Sequence, residues 1–296
     1  FKYMLTLGVL CSGGLGFDTL VKIKNNYEIK FILTDKKSLD IIQFSKEKNI
    51  PLFSGNPRNG MAYEFIKNIK IDVIVSINYL FLIEQDIYNH SNKITFNIHG
   101  SLLPKYRGRT PHVWAIINGE KKTGVTAHLI DSGCDTGDVI DQIEISIEEN
   151  DTGGIILGKY SNEYFPLIKN VLDKIKLNQL KLTKQLEEDA SCFGKRIPTD
   201  GEINWSWDAE VIRNWVRAQA HPYPGAFTFY NCHKIIIDKV SRINYENNSN
   251  IQNGEIVKIN PDIIVKTGKG FIKLDIIRTE NCIFKIGKKF NNEDRK

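Results

Sequence analysis

Short apolar runs alternate with amphipathic stretches through the first half of the chain. The apolar runs have the length and composition of buried strands, and the stretches between them carry apolar residues at helical spacing. Alternation of this kind predicts a mostly parallel sheet with helices on both faces, the Rossmann-like α/β class. The predicted strands are MLTLGVLC, IKFILT, IDVIVSIN, KITFNIH, GVTAHLID and DVIDQIEISI, and the first predicted helices are FDTLVKIKNN and SLDIIQFSKEKN.

A long helix is predicted within the stretch DTGGIILGKYSNEYFPLIKNVLDKIK. Six apolar or aromatic residues recur there at helical spacing and predict a single buried face. These residues are Ile156, Tyr160, Tyr164, Leu167, Val171 and Ile175. We expect residues 1–189 to form the first domain.

The composition changes after this helix. A polar stretch with Gly and Pro but no clear periodicity predicts a linker over residues 190–202. The following segment, residues 203–296, begins with a helix in DAEVIRNWVRAQ and continues as short β-rich runs. This pattern is typical of a small antiparallel barrel, similar to an OB fold, as a C-terminal domain. The charged end, KIGKKFNNEDRK, is expected to be frayed.

Two polar side chains interrupt the apolar strand KITFNIH at its carboxyl end. Strand alternation places Asn97 and His99 on the same face. A buried polar group without a partner costs about 1–3 kcal/mol, so this pair is either a structural hydrogen-bonding pair or part of a site. Asp135 follows in the loop DSGCDTGDVID, where Gly133 and Gly137 allow a close backbone approach to a ligand. An Asn, a His and an Asp at one sheet edge suit acyl transfer to an amine.

Composition and charge exclude several classes of protein. The chain has 296 residues, of which 41% are hydrophobic and 25% charged, with no apolar run long enough to cross a membrane and no signal-peptide pattern. Five cysteines without a CxxC pair or a histidine at metal-ligand spacing argue against disulfides and a metal site. The net charge of +5 comes from scattered lysines and falls short of a nucleic-acid-binding stripe. We expect a cytoplasmic protein.

Three motifs together resemble the formyltransferases that use 10-formyltetrahydrofolate. They are NIHGSLLPKYRG, INGE with TGVTAHLID, and DTGDVI, and they stand in that family's order and close to its spacing. The stretch DGEINWSWDAEVIRNWVRAQAHPYPGAFTF also resembles the entry into the family's barrel domain. The resemblance therefore covers most of the chain.

The resemblance implies a role for each residue of the site. Asn97, His99 and Asp135 would form the catalytic triad. The chemistry of amine formylation suggests that His99 accepts the proton of the attacking amine and that Asn97, or His99 as an imidazolium, stabilises the oxyanion. Asp135 is expected to hold the imidazole in one tautomer and to favour its charged form. The residues expected to contact the folate are Tyr79, Leu80, Phe81, Leu82, Leu103, Pro104, Asp131 and Asp135.

The substrate amine remains open at the level of the sequence. A barrel domain argues against the glycinamide ribonucleotide type, and transfer to water or to a second domain is a further alternative. Only residues 35–38 separate the second strand from its helix, so the long basic loop of the tRNA-formylating members is missing. We therefore favour a sugar N-formyltransferase acting on a nucleotide-linked amino deoxysugar (dTDP, UDP or GDP) in surface polysaccharide or lipopolysaccharide biosynthesis. The alternatives are a methionyl-tRNA formyltransferase and an inactive folate- or nucleotide-sugar-binding module.

Several further residues are candidates for contacting that substrate. Arginine grips phosphate with two donors, so the loop PKYRGRTP is predicted to bind the diphosphate. In contrast, His112, His128 and His221 have no carboxylate at motif spacing and are interpreted as structural. A homodimer is expected from base rates alone. The predicted substrate-binding residues are Ser12, Lys105, Tyr106, Arg107 and Arg109.

Overall fold

The computed structural model describes residues 4–246, 250–280 and 282–291. Within this part, the chain divides into two compact units. The first contains the chain up to Gly108, Thr123–Ile145 and Gly158–Phe193. The second contains Arg109–Lys122, Ser146–Leu157 and the chain from Gly194 onward. The last segment of the second unit thus begins within the predicted linker. The other two segments of this unit come from the predicted first domain.

The first unit is built on a seven-stranded sheet with the order β3-β2-β1-β4-β5-β7-β8. The pairs from β3 to β5 are all parallel, whereas β7 runs antiparallel to β5. The mostly parallel Rossmann-like architecture is therefore confirmed. The strands are β1 Thr6–Cys11, β2 Glu28–Thr34, β3 Leu52–Ser54, β4 Val73–Ile77, β5 Ile94–His99, β7 Lys122–Leu129 and β8 Val139–Ser146.

Helices connect these strands. The first two predicted helices are present, and α6 follows the predicted long amphipathic pattern. The helices up to α6 are α1 Gly13–Lys24, α2 Leu39–Glu47, α3 Met61–Ile66, α4 Gln85–Tyr88, α5 Pro111–Ile117 and α6 Gly153–Lys176. The short helices α3, α4 and α5 and the strand β3 were not predicted, because segments of three to seven residues carry too few turns to show a period.

Helix α6 supports the strand that carries the site. Its predicted apolar face is buried, with Tyr160 1% and Tyr164 4% exposed. Gly100 directly follows β5, and a Cβ there would lie 2.7 Å from Cε2 of Tyr160. Glycine at this position therefore lets the aromatic side chain pack against the backbone immediately after His99. Tyr160 in turn shares a hydrogen bond of 2.5 Å with the hydroxyl of Thr123.

A two-stranded parallel pair lies beside the main sheet in the first unit. It is formed by β6, Arg107–Gly108, and β9, Cys192–Phe193. The backbone N–H of Arg107 donates to the carbonyl of Ser191 at 2.8 Å. This pairing connects the loop after β5 to the end of the first unit.

The second unit contains a five-stranded antiparallel sheet with the order β10-β11-β14-β13-β12. Phe229 in β10 forms a bridge with Asn291, and Glu255, just before β12, forms one with Lys289. Residues 289–291 therefore form bridges at both edges of the sheet. Phe290, between them, is 3% exposed. The expectation of a frayed end was wrong for residues 285–291, and the rest of it lies outside the described residues. The strands are β10 Ala226–Tyr230, β11 His233–Ile243, β12 Ile256–Lys258, β13 Ile263–Lys266 and β14 Phe271–Arg278.

Helix α7, Ala209–Ala218, packs on this sheet and anchors a segment from earlier in the chain. Ile212 and Val216 on α7 belong to the core of the second unit. On its other side, the guanidinium of Arg217 donates to the carbonyls of Glu148 at 3.1 Å and Asp151 at 2.8 Å. These bonds explain why residues 146–157 belong to the second unit.

Candidate active site

The structure brings the three predicted polar residues together in the first unit. Asn97 and His99 lie on one face of β5, and Asp135 lies in the loop between β7 and β8. The Nδ1 atom of His99 is 3.5 Å from Oδ2 of Asp135. The side chain of Asp135 is 15% exposed, and the side chain of His99 is 8% exposed. The loop thus returns to the end of β5, and the two groups form a close, largely buried pair.

The hydrogen bonds of His99 determine which ring nitrogen is available. Its Nε2 lies 2.8 Å from the backbone carbonyl of Tyr106, and a carbonyl only accepts hydrogen bonds. Nε2 therefore carries the hydrogen, and in the neutral ring the lone pair is on Nδ1, which faces Asp135. Burial lowers the pKa of His99 below its ordinary value, although Asp135 and the Tyr106 carbonyl act in the opposite direction. The imidazole is therefore neutral near pH 7 and able to accept a proton.

Asp135 remains ionised next to this ring. Burial alone would raise the pKa of Asp135, but the His99 and His128 rings and the Gly108 N–H hold it well below its ordinary value. The Gly108 N–H donates to Oδ2 at 2.9 Å. A carboxylate in this position stabilises a protonated His99, because an opposite charge a few ångströms away favours the imidazolium.

The backbone at Asp135 has a left-handed conformation, with φ of 56°. Gln185 holds this part of the loop, because its Nε2 donates to the carbonyl of Asp135 at 2.9 Å and to that of Gly137 at 2.7 Å. Gly137 is required by the close approach of the chain, since a Cβ would lie 1.9 Å from the Leu129 carbonyl oxygen. The carboxylate is therefore positioned by its loop and by a neighbouring segment.

Arg107 has a different environment from the one predicted. Its side chain is 7% exposed, and its guanidinium forms a bidentate salt bridge with Glu187, in which each hydrogen bond is 2.9 Å long. Two further bonds, of 3.1 and 2.9 Å, join it to Oε1 of Gln185. The donors of Arg107 thus hold the segment that positions Asp135, and the diphosphate contact stays a prediction.

Two more of the predicted substrate contacts are also buried. Tyr106 is 8% exposed and stacks on Phe193 with 5.1 Å between ring centroids. Ser12 is fully buried at the start of α1, so its hydroxyl does not face solvent. Lys105 and Arg109, in contrast, are exposed, and all four residues stay predicted substrate contacts.

Six of the residues predicted to contact folate follow β4 or β5. Leu80 and Leu82 are 45% and 62% exposed, although they are large apolar residues, and Tyr79 packs edge-on against Phe81. Exposed apolar side chains next to polar site residues fit a ligand with a flat ring. Leu103 is 5% exposed, next to Pro104, with which it forms a cis peptide bond.

Asp131, another predicted folate contact, is exposed and has partners of its own. Its Oδ1 accepts from the Gly133 N–H at 3.0 Å and from the Thr136 hydroxyl at 2.6 Å. The side chain therefore shapes the turn that precedes Asp135. Its other carboxyl oxygen remains a candidate contact for a ligand.

His128 is a site residue that the sequence analysis missed. It lies directly opposite Asn97 in the antiparallel pairing of β5 and β7. Its Nε2 is 3.1 Å from Nδ2 of Asn97 and 3.6 Å from Oδ1 of Asp135. The alternation in TGVTAHLID places Thr126 and His128 on one strand face, but the register that brings this face to Asn97 is not visible in a single sequence.

The described ranges contain neither a candidate metal cluster nor a helix that could span a membrane. No cluster of three or more His, Cys, Asp or Glu side chains is arranged to hold a metal ion there. In the same residues, every helix is too short or too polar to cross a bilayer.

Comparisons with known proteins identify the family of the chain. Residues 18–163 match the family model described as formyl transferase, and residues 196–294 match the formyl transferase C-terminal domain. The fold is similar to that of WlaRD, a sugar 3N-formyl transferase solved in the presence of dTDP and 5-N-formyl-THF. The identity is 25% and the TM-score 0.71, covering 95% of this chain and 100% of that one.

Two further solved structures are also similar. An N-formyltransferase from Helicobacter canadensis, in complex with folinic acid and dTDP-3-aminofucose, is 24% identical with a TM-score of 0.71, covering 92% of this chain and 99% of that one. The methionyl-tRNA formyltransferase from Clostridium thermocellum is 22% identical with a TM-score of 0.55. This match covers 83% of this chain and 96% of that one. The two family matches together span most of the chain, and with the geometry of Asn97, His99 and Asp135 they lead to one conclusion: the protein belongs to the formyltransferase family.

Proposed function

We propose that this formyltransferase transfers a formyl group from 10-formyltetrahydrofolate to the amine of a nucleotide-linked amino deoxysugar. The observation that carries the proposal is the buried His99–Asp135 pair beside the Asn97 amide. A neutral imidazole next to a fixed carboxylate accepts a proton, and a nearby amide N–H stabilises negative oxygen. Amine formylation requires both functions.

Each of the three side chains has a defined task in this proposal. A primary amine with a pKa of about 8 is mostly protonated at pH 7, so it needs a base in order to attack. His99 accepts the proton at Nδ1, and Asp135 stabilises the imidazolium that results. The imidazolium returns this proton to the folate nitrogen as the bond between that nitrogen and the formyl carbon breaks. This contribution is typically about 10²- to 10⁴-fold. Asn97 donates to the formyl oxygen as negative charge develops on it, an effect worth roughly 3–4 kcal/mol.

The exposed apolar residues near the site support a folate donor. Leu80 and Leu82 provide apolar surface for a flat ring, and the backbone of Leu103 is held beside the site by its neighbours. Its N–H donates to the Thr126 hydroxyl at 3.2 Å, and its carbonyl accepts from Gln142 at 2.9 Å. When bound, the donor supplies an activated formyl group, and the residues around it supply orientation and proton transfer.

An amino-sugar acceptor is favoured over tRNA by two observations. Only residues 35–38 separate β2 from α2, which leaves no room for a long basic loop there. The two similar structures with the higher TM-score, 0.71, are a sugar 3N-formyl transferase and an N-formyltransferase bound to a dTDP-amino sugar. We also propose that the enzyme is cytoplasmic and acts in surface polysaccharide biosynthesis. Lys105 and Arg109, both exposed, are the candidates for contacting the diphosphate.

The proposal is tested with purified protein, 10-formyltetrahydrofolate and a panel of dTDP-, UDP- and GDP-linked amino deoxysugars, with product masses as the readout. A gain of one formyl group on a nucleotide sugar is expected, and it should be lost in the His99→Asn variant. Formylation of aminoacylated initiator tRNA in a parallel reaction would instead assign the tRNA activity. Tight folate binding without any product would indicate a binding module.

A further inference from the structure

His128 occupies a position from which it controls the orientation of a catalytic amide. Its side chain is 4% exposed, and its ring lies 6.4 Å from that of His99, centroid to centroid. Both ring nitrogens have close neighbours. Nδ1 lies 2.7 Å from the carbonyl oxygen of Leu129, and Nε2 lies 3.1 Å from Nδ2 of Asn97.

The Leu129 carbonyl decides which ring nitrogen of His128 carries the hydrogen. A carbonyl oxygen only accepts, so Nδ1 must donate to it. The neutral ring then has a lone pair on Nε2, and this lone pair accepts a hydrogen bond from the amide nitrogen of Asn97. Asp135 Oδ1, at 3.6 Å from the same Nε2, is beyond normal hydrogen-bond distance.

This arrangement matters because an amide has two different ends. The nitrogen of Asn97 carries two hydrogens, so one can bind His128 while the second remains for a substrate oxygen. If the amide turned by 180°, its oxygen would take the place of its nitrogen. An acceptor would then face the negative oxygen that develops during transfer, which destabilises the transition state.

We propose that His128 is a positioning residue that holds the Asn97 amide with its N–H groups directed for catalysis. This inference rests on the proposed function, because Asn97 acts on the oxygen of a transferred formyl group. His128 works through the lone pair that Nε2 directs at the Asn97 amide. Its ring is held in turn by the backbone of its own strand, so the amide, the ring and the Leu129 carbonyl form one chain of hydrogen bonds.

The proposal predicts different results for two substitutions. In His128→Leu the acceptor is lost, and kcat is expected to fall by roughly 10- to 100-fold, less than the ~10²- to 10³-fold loss on removing an oxyanion donor itself. The KM for the amino sugar should change by less than about twofold, because a transition-state interaction is affected and not ground-state binding. In His128→Gln the side-chain oxygen can replace Nε2, so most of the activity should return.

A double-mutant cycle with Asn97→Ala separates positioning from a general structural effect. If His128 acts through Asn97, His128→Leu should cause no further loss of kcat in the Asn97→Ala background. A multiplicative loss in the double variant would overturn the proposal and would point to Asp135 or to the fold. Equal losses in His128→Leu and His128→Gln would also overturn it. If His128→Leu proves insoluble, His128→Met replaces it in the same cycle.

The same measurements keep this proposal distinct from the proposed function. Wild-type protein that formylates no amino sugar would refute the proposed function. Active wild-type protein with an additive His128–Asn97 cycle would refute the positioning role alone. Thermal unfolding of each variant serves as the check that a loss of kcat does not follow from a loss of folded protein.

Discussion

The buried His112 predicts how the stability of the second unit depends on pH. This side chain lies on α5, is buried, and its Nε2 shares a short hydrogen bond with the hydroxyl of Tyr223. Burial lowers the pKa of His112 from 6.5 to about 4. Between these values the unfolded chain binds a proton that the folded chain does not, so stability falls as the pH falls. The full difference corresponds to about 3 kcal/mol, of which about 2 kcal/mol is lost between pH 7 and pH 5.

The assay is urea-induced unfolding at pH 7 and pH 5 for wild type and His112→Gln. Glutamine can still bond to Tyr223 but does not titrate, so the variant should lose about 2 kcal/mol less than wild type over this range. The matched control is His221→Gln, the same substitution at an exposed histidine of the same unit. If His112→Gln shows the same loss as wild type, the burial of His112 is not the cause and the reasoning is refuted.

Three further substitutions test the site and its support. His99→Asn should lower turnover by about 10²-fold or more with an unchanged melting temperature, and near-normal turnover would contradict the base assignment. Gln185→Ala removes four side-chain hydrogen bonds and should reduce kcat by about tenfold or more through a looser catalytic loop, as measured by steady-state kinetics. Gly137→Ala places a Cβ against the Leu129 carbonyl and should destabilise the protein by about 1–3 kcal/mol in thermal unfolding. Gly158→Ala, where a Cβ meets nothing within 4 Å, is the matched control and should be neutral or stabilising.

The regular part of the fold follows directly from the sequence pattern. Strands such as β1 and β4 are continuous apolar runs because parallel strands are buried on both faces, and α6 shows a clear helical period over 24 residues. The segment that forms α5 has only seven residues and begins at Pro111, so neither its period nor its membership of the second unit could be predicted.

Some features of the candidate site could likewise be predicted from the sequence, and others could not. The alternation in β5 predicted that Asn97 and His99 share a face, because that depends only on local strand geometry. The contribution of His128 depends on the register between two strands, and the roles of Arg107 and Gln185 depend on a segment nearly 80 residues further along the chain. A charged residue in a basic loop suggests a ligand contact, and only the fold reveals that its partner is Glu187.

The division of the chain into interleaved units has a consequence for protein engineering. Residues 109–122 and 146–157 belong with the C-terminal sheet, although they lie between segments of the catalytic unit. A chimera joined at residue 194 would therefore combine the C-terminal part of one parent with α5 and the Glu148–Asp151 segment of another. Exchange of the second unit between related enzymes requires three transplanted segments, and single-crossover hybrids should express poorly.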